Sequence, residues 1–270
     1  MMEHPNFIPE QRRGLVLEFL LQRGTASIQE LSDAFGASAS TVRRDLEKLE
    51  EEGHVRRTHG GAVLCSAAHS TFEPDAAVAA QISHAEKSAI GRVAAHLLSE
   101  GDSVILDSGS TVLAAAKVAV ERRIALTAVT NDLGIGQVLA SSEKIRVVVL
   151  GGSVRRGSLT LVGEPGQSFI ADIHADVAFI GTHAISNRLL TETSIETASI
   201  KRAMIAAARR VVLLADSTKF RSAAFYKICD VTAVHEVITD SGAAPHLLAE
   251  LRDAGLKVTV VEAAGASGGA

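Results

Sequence analysis

The sequence predicts an α/β protein of two domains: an N-terminal winged helix-turn-helix over residues 8–64 and a larger domain on a mostly parallel sheet over residues 86–262. Three observations predict it. The first part carries three short helical patterns in succession and then a basic hairpin, the element order of a winged helix-turn-helix. The second part alternates short β-branched runs with Ala-rich helical stretches, the pattern of strands covered by helices on both faces. Between them, residues 65–85 lose periodicity, are rich in Ala and Ser, and read as a linker with a partly helical option; residues 263–270 are low in complexity and read as a mobile tail.

In the first part, Leu15, Val16, Phe19 and Leu20 recur at helical spacing over residues 10–23, and Gly24 ends the run. Ser27 and Glu30 form a capping box, each satisfying a backbone donor of the other. They open a second helix with Ile28, Leu31 and Phe35 on one face, stopped by Gly36. Ser38 is the residue type that caps a helix start. Behind it Val42, Leu46 and Leu49 make one apolar stripe, and Gly53 ends the helix as a left-handed cap. The opposite face carries Ser40, Arg44 and Lys48, flanked by Thr41 and Arg43. Arginine can bond both acceptors of a guanine edge, and hydroxyls can bond bases or phosphate oxygens, so this face suits a DNA major groove.

His54–Arg57 and Ala62–Leu64 then read as two strands about the turn Thr58–Gly61. That hairpin would carry Arg56, Arg57 and His59 beside the helix, to hold phosphates or enter the minor groove. The same charges also fit an ordinary solvated helix face; the order of three helices and a basic hairpin is what favours the DNA reading. Glu50, Glu51 and Glu52 fit it poorly, because the helix dipole and phosphate both disfavour anions there. That end is expected to point away from a duplex, towards solvent or the second domain.

In the second part the strand candidates are residues 103–107, 125–130, 145–150, 176–181, 211–216, 237–240 and 257–261. Helical stretches lie between them at residues 86–98, 111–120, 132–139, 194–208 and 245–254. Ligands of such sheets bind off the carboxyl ends of the strands, and the polar residues gather there. Asp107, Ser108, Gly109, Ser110 and Thr111 leave a strand and enter a helix; a glycine lets the backbone approach a ligand, and helix-start amides with hydroxyls suit a phosphate. Thr130 and Asn131 end the next strand, Gly151, Gly152 and Arg155 follow the third, and Asp216 with Lys219 ends another. Each loop also has a plain reading: Asp107 and Asp216 as loop caps, Gly151-Gly152 as a tight turn, Lys219 as a solvated lysine. The set, converging on one small polar ligand, weighs more than any member.

At 270 residues, 47% of them hydrophobic and 21% charged, the chain can hold one substantial core beside a small module. A formal net charge of −4 gives no general attraction to nucleic acid, so a DNA-binding surface has to be local. Cys65 and Cys229 are far apart and without CxxC spacing, and the ten histidines include no HExxH pair, so neither a disulfide framework nor a metal site is expected. Gly134-Ile135-Gly136 is not a dinucleotide fingerprint: it lacks the third glycine and lies inside a helical pattern. No cofactor is expected. No run has the character of a signal peptide or a membrane span, which points to the cytoplasm.

Over nearly its whole length the chain resembles the DeoR family of bacterial transcriptional regulators. The residues that carry the resemblance are Ser40–Leu46, Arg56–Ala62, Leu106–Thr111, Val129–Asn131, Gly151-Gly152, Leu161–Gly163, Phe179–Gly181, Lys201–Ala203, Leu214–Phe220 and Ile238–Asp240. The resemblance implies a sensor domain similar in fold to ribose-phosphate isomerase, commonly sensing a phosphorylated sugar-metabolism intermediate, in a protein that represses a catabolic operon. It also implies that Ser108–Thr111 hold a phosphate, that Lys219 is the basic residue near the ligand, and that Glu196 and Lys201 stand where the isomerase has an acidic residue and a lysine. The chain departs from the family at Ser110, where a threonine is common, at Leu189-Leu190-Thr191 and at Ala184-Ile185-Ser186, where an aspartate is missing.

The expected function is therefore a DNA-binding regulator, a repressor of a sugar or polyol catabolic operon, controlled by a phosphorylated sugar-type effector and acting on double-stranded operator DNA as a homodimer or homotetramer, without a membrane partner. The alternative is a sugar-phosphate isomerase with an accessory DNA-binding module. Residues 181–186 offer no carboxylate as a general base, which favours the regulator.

Overall fold

Pro9 opens helix α1 (Pro9–Arg23), at a position whose amide has no helical acceptor to lose, and Gly24 closes it at φ 77° with its amide on the Leu20 carbonyl. It is the first element in a computed structural model that describes residues 8–64, 79–80 and 82–263. Most of the 65–85 linker, Cys65 and nearly all of the 263–270 tail lie outside the described residues. The chain divides into two units, Met1–Ile82 and Ser83–Ala270.

The first unit continues with β1 (Thr25–Ser27), α2 (Ile28–Phe35), α3 (Ala39–Glu51), β2 (Val55–Thr58) and β3 (Gly61–Leu64). The capping box at Ser27 and Glu30 forms in both directions, and Gly36 ends α2 in the left-handed region at φ 59°. Ser38 caps α3 by accepting the Thr41 amide. At the other end Gly53 N–H reaches the Glu50 carbonyl and His54 N–H the Leu49 carbonyl. That pair of bonds is a Schellman motif, made possible by φ 77° at Gly53.

The hairpin turns on His59 and Gly60 alone, so both strands extend one residue further into the turn than the sequence pattern suggests. β1 is an element the pattern does not signal. It pairs with β3, giving the order β1-β3-β2. Gly61 is needed where they meet, because a Cβ there would stand 2.0 Å from the Ala26 carbonyl oxygen. Val16, Leu17, Leu20, Leu31, Val42, Leu46 and Leu49 fill the core beneath.

One charge is buried in this core's rim. Asp45, 3% exposed, takes the Arg12 guanidinium at 2.5 Å and ties α3 to α1. Asp45→Ala would remove this counterion of Arg12 and is expected to cost about 3 kcal/mol, the low end for a broken buried pair because Arg12 keeps some water. Chemical denaturation followed by helix content measures it.

The second unit runs α4 (His84–Ala95), β4 (Ser103–Leu106), α5 (Ser110–Glu121), β5 (Leu126–Thr130), α6 (Leu133–Leu139), β6 (Ile145–Val149), the hairpin β7 (Ser153–Val154) and β8 (Leu161–Val162), and α7 (Gly166–Ala171). It goes on through β9 (Ala175–Ile180), β10 (Ala184–Ser186), β11 (Leu189–Glu192), α8 (Ile195–Ala206), β12 (Ala208–Leu214), β13 (Tyr226–Asp230), β14 (Glu236–Asp240), α9 (Pro245–Asp253) and β15 (Lys257–Val261). Seven strands make one sheet in the order β15-β14-β12-β9-β4-β5-β6, every pairing parallel.

Alternate residues of these strands face opposite cores, as the two-residue period of a strand requires. Val104, Leu106, Val177, Phe179, Val212 and Leu214 pack under α4, α5 and α6. Ile105, Ala178, Ile180, Val211 and Leu213 pack under α8, α9 and a separate antiparallel sheet of order β10-β11-β13.

The chain winds outward from β4 through β5 to β6, then returns to β9 on the other side of β4 and winds outward again to β15. The strand order therefore reverses between β4 and β9. A crevice opens at the carboxyl ends of strands at such a reversal, and ligands of this architecture bind there.

Candidate functional site

Two surfaces of different chemistry emerge, one in each unit. On α3 the stripe of Val42, Asp45, Leu46 and Leu49 is buried, which turns Ser40, Arg43, Arg44 and Lys48 outward. The hydroxyls of Ser38, Ser40 and Thr41 are linked at the helix start, with Ser38 Oγ 2.8 Å from each of the other two. Arg43, Arg44 and Arg56 are exposed, and no side-chain hydrogen bond or ion pair occupies them among the described residues. Lys48 lies 3.2 Å from Glu51 on the same helix. His59 is exposed at the turn of the hairpin.

Arg57 behaves differently from its neighbour. Its backbone amide and Nε reach Glu50 at 2.8 and 2.7 Å, and a terminal nitrogen reaches Glu47 at 2.9 Å. Two carboxylates already compensate this guanidinium, and hydrogen bonding to it holds the Glu50 carboxyl below its ordinary range. The glutamates at the end of α3 thus have a role the sequence reading does not give them: Glu50 anchors the hairpin to the helix.

The second surface lies at the carboxyl ends of the parallel strands. Asp107 follows β4 and is fully buried. Its Oδ2 accepts the Gly181 amide, which follows β9, at 2.9 Å, and it also takes the Lys201 ammonium from α8. Lys201 lies 3.3 Å from Glu192 at the end of β11 and donates to the Gly181 carbonyl at 3.0 Å. Burial alone would lower the pKa of this lysine, but Asp107 and Glu192 together raise it above its ordinary value. A closed triad of one cation and two carboxylates therefore sits at the point where the strand order reverses.

Beside it, Gly109 at φ 120° leads into α5, with nothing within 4 Å of where a Cβ would stand. Ser108 and Ser110 are half-buried and Thr111 is buried. The first amides of α5 have no acceptor within the helix. Thr130 and Asn131 are fully buried at the end of β5. Leu150 N–H, just past β6, reaches Thr130 O at 2.8 Å, and the β7–β8 hairpin docks beside it, Leu161 N–H reaching Asn131 O at 2.6 Å. Gly152, at φ 134°, sits where a Cβ would meet the Val162 carbonyl oxygen at 2.5 Å, and Gly151 lies against Pro165. These glycines serve close packing of the hairpin, the plain reading of that pair. Arg155 belongs to the loop of this hairpin, and its amide bonds Thr160.

Asp216 begins a 3-10 turn, Ser217–Lys219, and its Oδ1 accepts the Thr218 amide at 3.1 Å. Burial would raise this carboxyl, yet Lys219 and Lys87, with the Thr218 hydroxyl and amide, hold it below its ordinary range. Asp240, at the end of β14, accepts the Ser217 amide at 2.6 Å. Three acceptor atoms of this region are buried with no hydrogen-bond partner among the described residues: Asp107 Oδ1, Asn131 Oδ1 and Asp216 Oδ2.

The expected residues do not all converge. Glu196 is exposed on the first turn of α8, on the side away from Lys201. Four contributors escape the sequence reading: Glu192, Lys87, Asp240 and Asp132, which caps α6 through the amides of Gly134 and Ile135. Among the described residues no group of three or more His, Cys, Asp or Glu could hold a metal ion, and no helix is long and apolar enough to cross a membrane.

Comparison with known proteins adds a family to this geometry. Residues 82–241 match the model described as the DeoR C terminal sensor domain, and residues 12–68 match the DeoR-like helix-turn-helix domain. The HTH-type transcriptional repressor GlcR of Bacillus subtilis (strain 168) is 35% identical over 231 residues, 86% of this chain and 88% of the relative. Transcriptional repressor AccR of Agrobacterium fabrum is 34% identical over 235 residues, 86% of this chain and 90% of the relative. Among solved structures, ribose 5-phosphate isomerase A of Methanocaldococcus jannaschii aligns with a TM-score of 0.38 at 16% identity, over 50% of this chain and 53% of that one. At that distance the chemistry of the strand-end site has to be read from its own residues.

Proposed function

Because the chain belongs to the DeoR family of transcriptional regulators, we propose that it is a repressor of a sugar or polyol catabolic operon whose operator affinity is set by a phosphorylated sugar-type effector. The observation that carries the effector reading is the trio of buried acceptors without partners at the ends of β4, β5 and β12. Each such group costs about 1–3 kcal/mol, and a ligand bearing several hydroxyls offers the donors they lack. The first turn of α5, with its unbonded amides and the hydroxyls of Ser108, Ser110 and Thr111, supplies the complementary place for a phosphate. Lys219 adds a cation.

On the DNA side, Ser38, Ser40, Thr41, Arg43, Arg44 and Lys48 form the reading face, with Arg56 and His59 on the hairpin as backbone contacts and Arg57, held by Glu50 and Glu47, fixing the hairpin to the helix. Two such faces on a palindromic operator imply a homodimer or homotetramer. The isomerase alternative asks for a free general base. The carboxylates nearest the reversal point, Asp107 and Glu192, are both engaged by the Lys201 ammonium. Purified protein is accordingly expected to leave ribose 5-phosphate unconverted.

The test pairs operator binding with ligand screening. The full chain is expected to prefer its own promoter over random duplex at moderate salt, and a member of a sugar-phosphate panel is expected to raise its melting temperature, since a ligand that binds only the folded state stabilises it. Ser110→Ala or Lys219→Ala is expected to weaken effector binding in calorimetry while leaving the gel shift of the free protein unchanged. Variants that still release DNA at the parent's effector concentration would place the pocket elsewhere.

A further inference from the structure

Helix α4 joins the strand-end site to the division of the chain. It starts two residues after Ile82, the last residue of the first unit. A helix that feeds a strand of a parallel sheet through a short loop runs antiparallel to that strand. α4 therefore has its first turn at the carboxyl end of the sheet, level with the ligand loops. Its buried face is Lys87, Ile90, Gly91, Ala94 and Ala95. Lys87, only 4% exposed, is the charged member of that face.

α4 packs on β12 and β14, the strands that lead into Asp216 and Asp240. Asp216 feels the Lys87 charge, and its Oδ2 is buried without a hydrogen-bond partner. At Gly91 a Cβ would stand 2.6 Å from the Ala115 nitrogen and 2.7 Å from the Ala114 carbonyl carbon. α4 and α5 are thus in backbone contact. α5 is the helix whose first turn carries Ser110 and Thr111. Ser83, at the head of α4, is a non-glycine residue in the left-handed region at φ 51°, a conformation with a cost of its own at the joint.

We propose that Lys87 is the coupling residue of the effector site: an anionic group seated at the first turn of α5 draws on Lys87, and α4, in backbone contact with α5 at Gly91, carries the change to Ser83, the first residue of its unit. The inference rests on the anion-binding reading of the strand-end site. An effector acts at a distance only through an element it stabilises unequally in two arrangements, and α4 is the element that reaches both the site and the joint.

Hydrogen exchange of the full chain, with inorganic phosphate compared against chloride at matched ionic strength, tests it. Phosphate is expected to slow exchange several-fold in two places, residues 108–113 and residues 84–90. In Lys87→Met the slowing is expected to persist at 108–113 and vanish at 84–90; Lys87→Arg, which keeps the charge, is expected to retain both. Slowing at 108–113 with none at 84–90 in the parent protein, or unchanged slowing at 84–90 in Lys87→Met, overturns the coupling and leaves the anion site standing. No slowing at either place overturns the anion site and the coupling with it. Should Lys87→Met fail to fold, the parent's pattern and that of Lys87→Arg decide.

Discussion

Replacing Lys201 with methionine is expected to destabilise the α/β unit by about 3–5 kcal/mol, because removing one partner of a buried ion cluster leaves the others uncompensated. Lys201, Asp107 and Glu192 have side chains only 3%, 0% and 5% exposed, so water cannot take the lysine's place. Methionine fills much of the same volume, which confines the loss to charge. In a domain of this size the fall in melting temperature is expected to be about 10 °C.

The pH dependence distinguishes this cause from a packing defect. In the parent, Asp107 and Glu192 raise the Lys201 ammonium above its ordinary value. A group whose folded-state pKa is raised contributes stability that is fully present below its unfolded value and is lost as pH climbs through the folded one. The deficit of the methionine variant is therefore expected to stay constant through neutral pH and to shrink as pH rises past the ordinary lysine range, where a cavity or a steric clash would leave it unchanged. Denaturant titrations of both proteins across that range measure the difference.

The same triad shows why the sheet is legible in the sequence and the site is only partly so. The inner strands of the parallel sheet are buried on both faces, so their apolar runs are continuous and bounded, as in Val104–Leu106 and Val211–Leu214, whereas the edge strands β6 and β15 are partly exposed. β10 and β11 are shorter and joined by Asn187 and Arg188, both at positive φ, 48° and 63°. Asparagine at a two-residue turn between Ala184-Ile185-Ser186 and Leu189-Leu190-Thr191-Glu192 is a hairpin signal, the one that could have placed Glu192 at a strand end. β1 has three residues and no such signal.

Glu196 and Lys201 illustrate the opposite error. They are five positions apart, about 140° around a helix, so one helix cannot aim both at the same ligand. The buried face of α8, Thr197, Ala198, Lys201 and Met204, takes the lysine and turns the glutamate to solvent. Lys87 was hidden for another reason. Asp216, which feels its charge, is far away in the chain, and no local pattern marks a lysine on the apolar face of a helix as anything but a mismatch.

Arg44→Ala is expected to weaken binding to the protein's own operator by about 1–3 kcal/mol, the usual worth of a bidentate contact to a base. Arg44 stands on the exposed face of α3, four residues after Ser40 and four before Lys48, and among the described residues no carboxylate occupies it. The loss should therefore appear with the specific operator and largely disappear with random duplex. The hairpin arginines separate by the same logic. Arg56 is exposed and, among the described residues, unengaged, so Arg56→Ala is expected to reduce the slope of log affinity against log salt by about one, the mark of one lost phosphate contact. Arg57 already carries Glu50 and Glu47 as counterions within 3 Å, so it has little counterion to release. Arg57→Ala is expected to leave the salt slope near the parent's while loosening the hairpin from α3. Fluorescence anisotropy of labelled duplexes over a salt series measures all three variants, and an Arg57→Ala slope that falls as far as that of Arg56→Ala would show that DNA displaces the two glutamates.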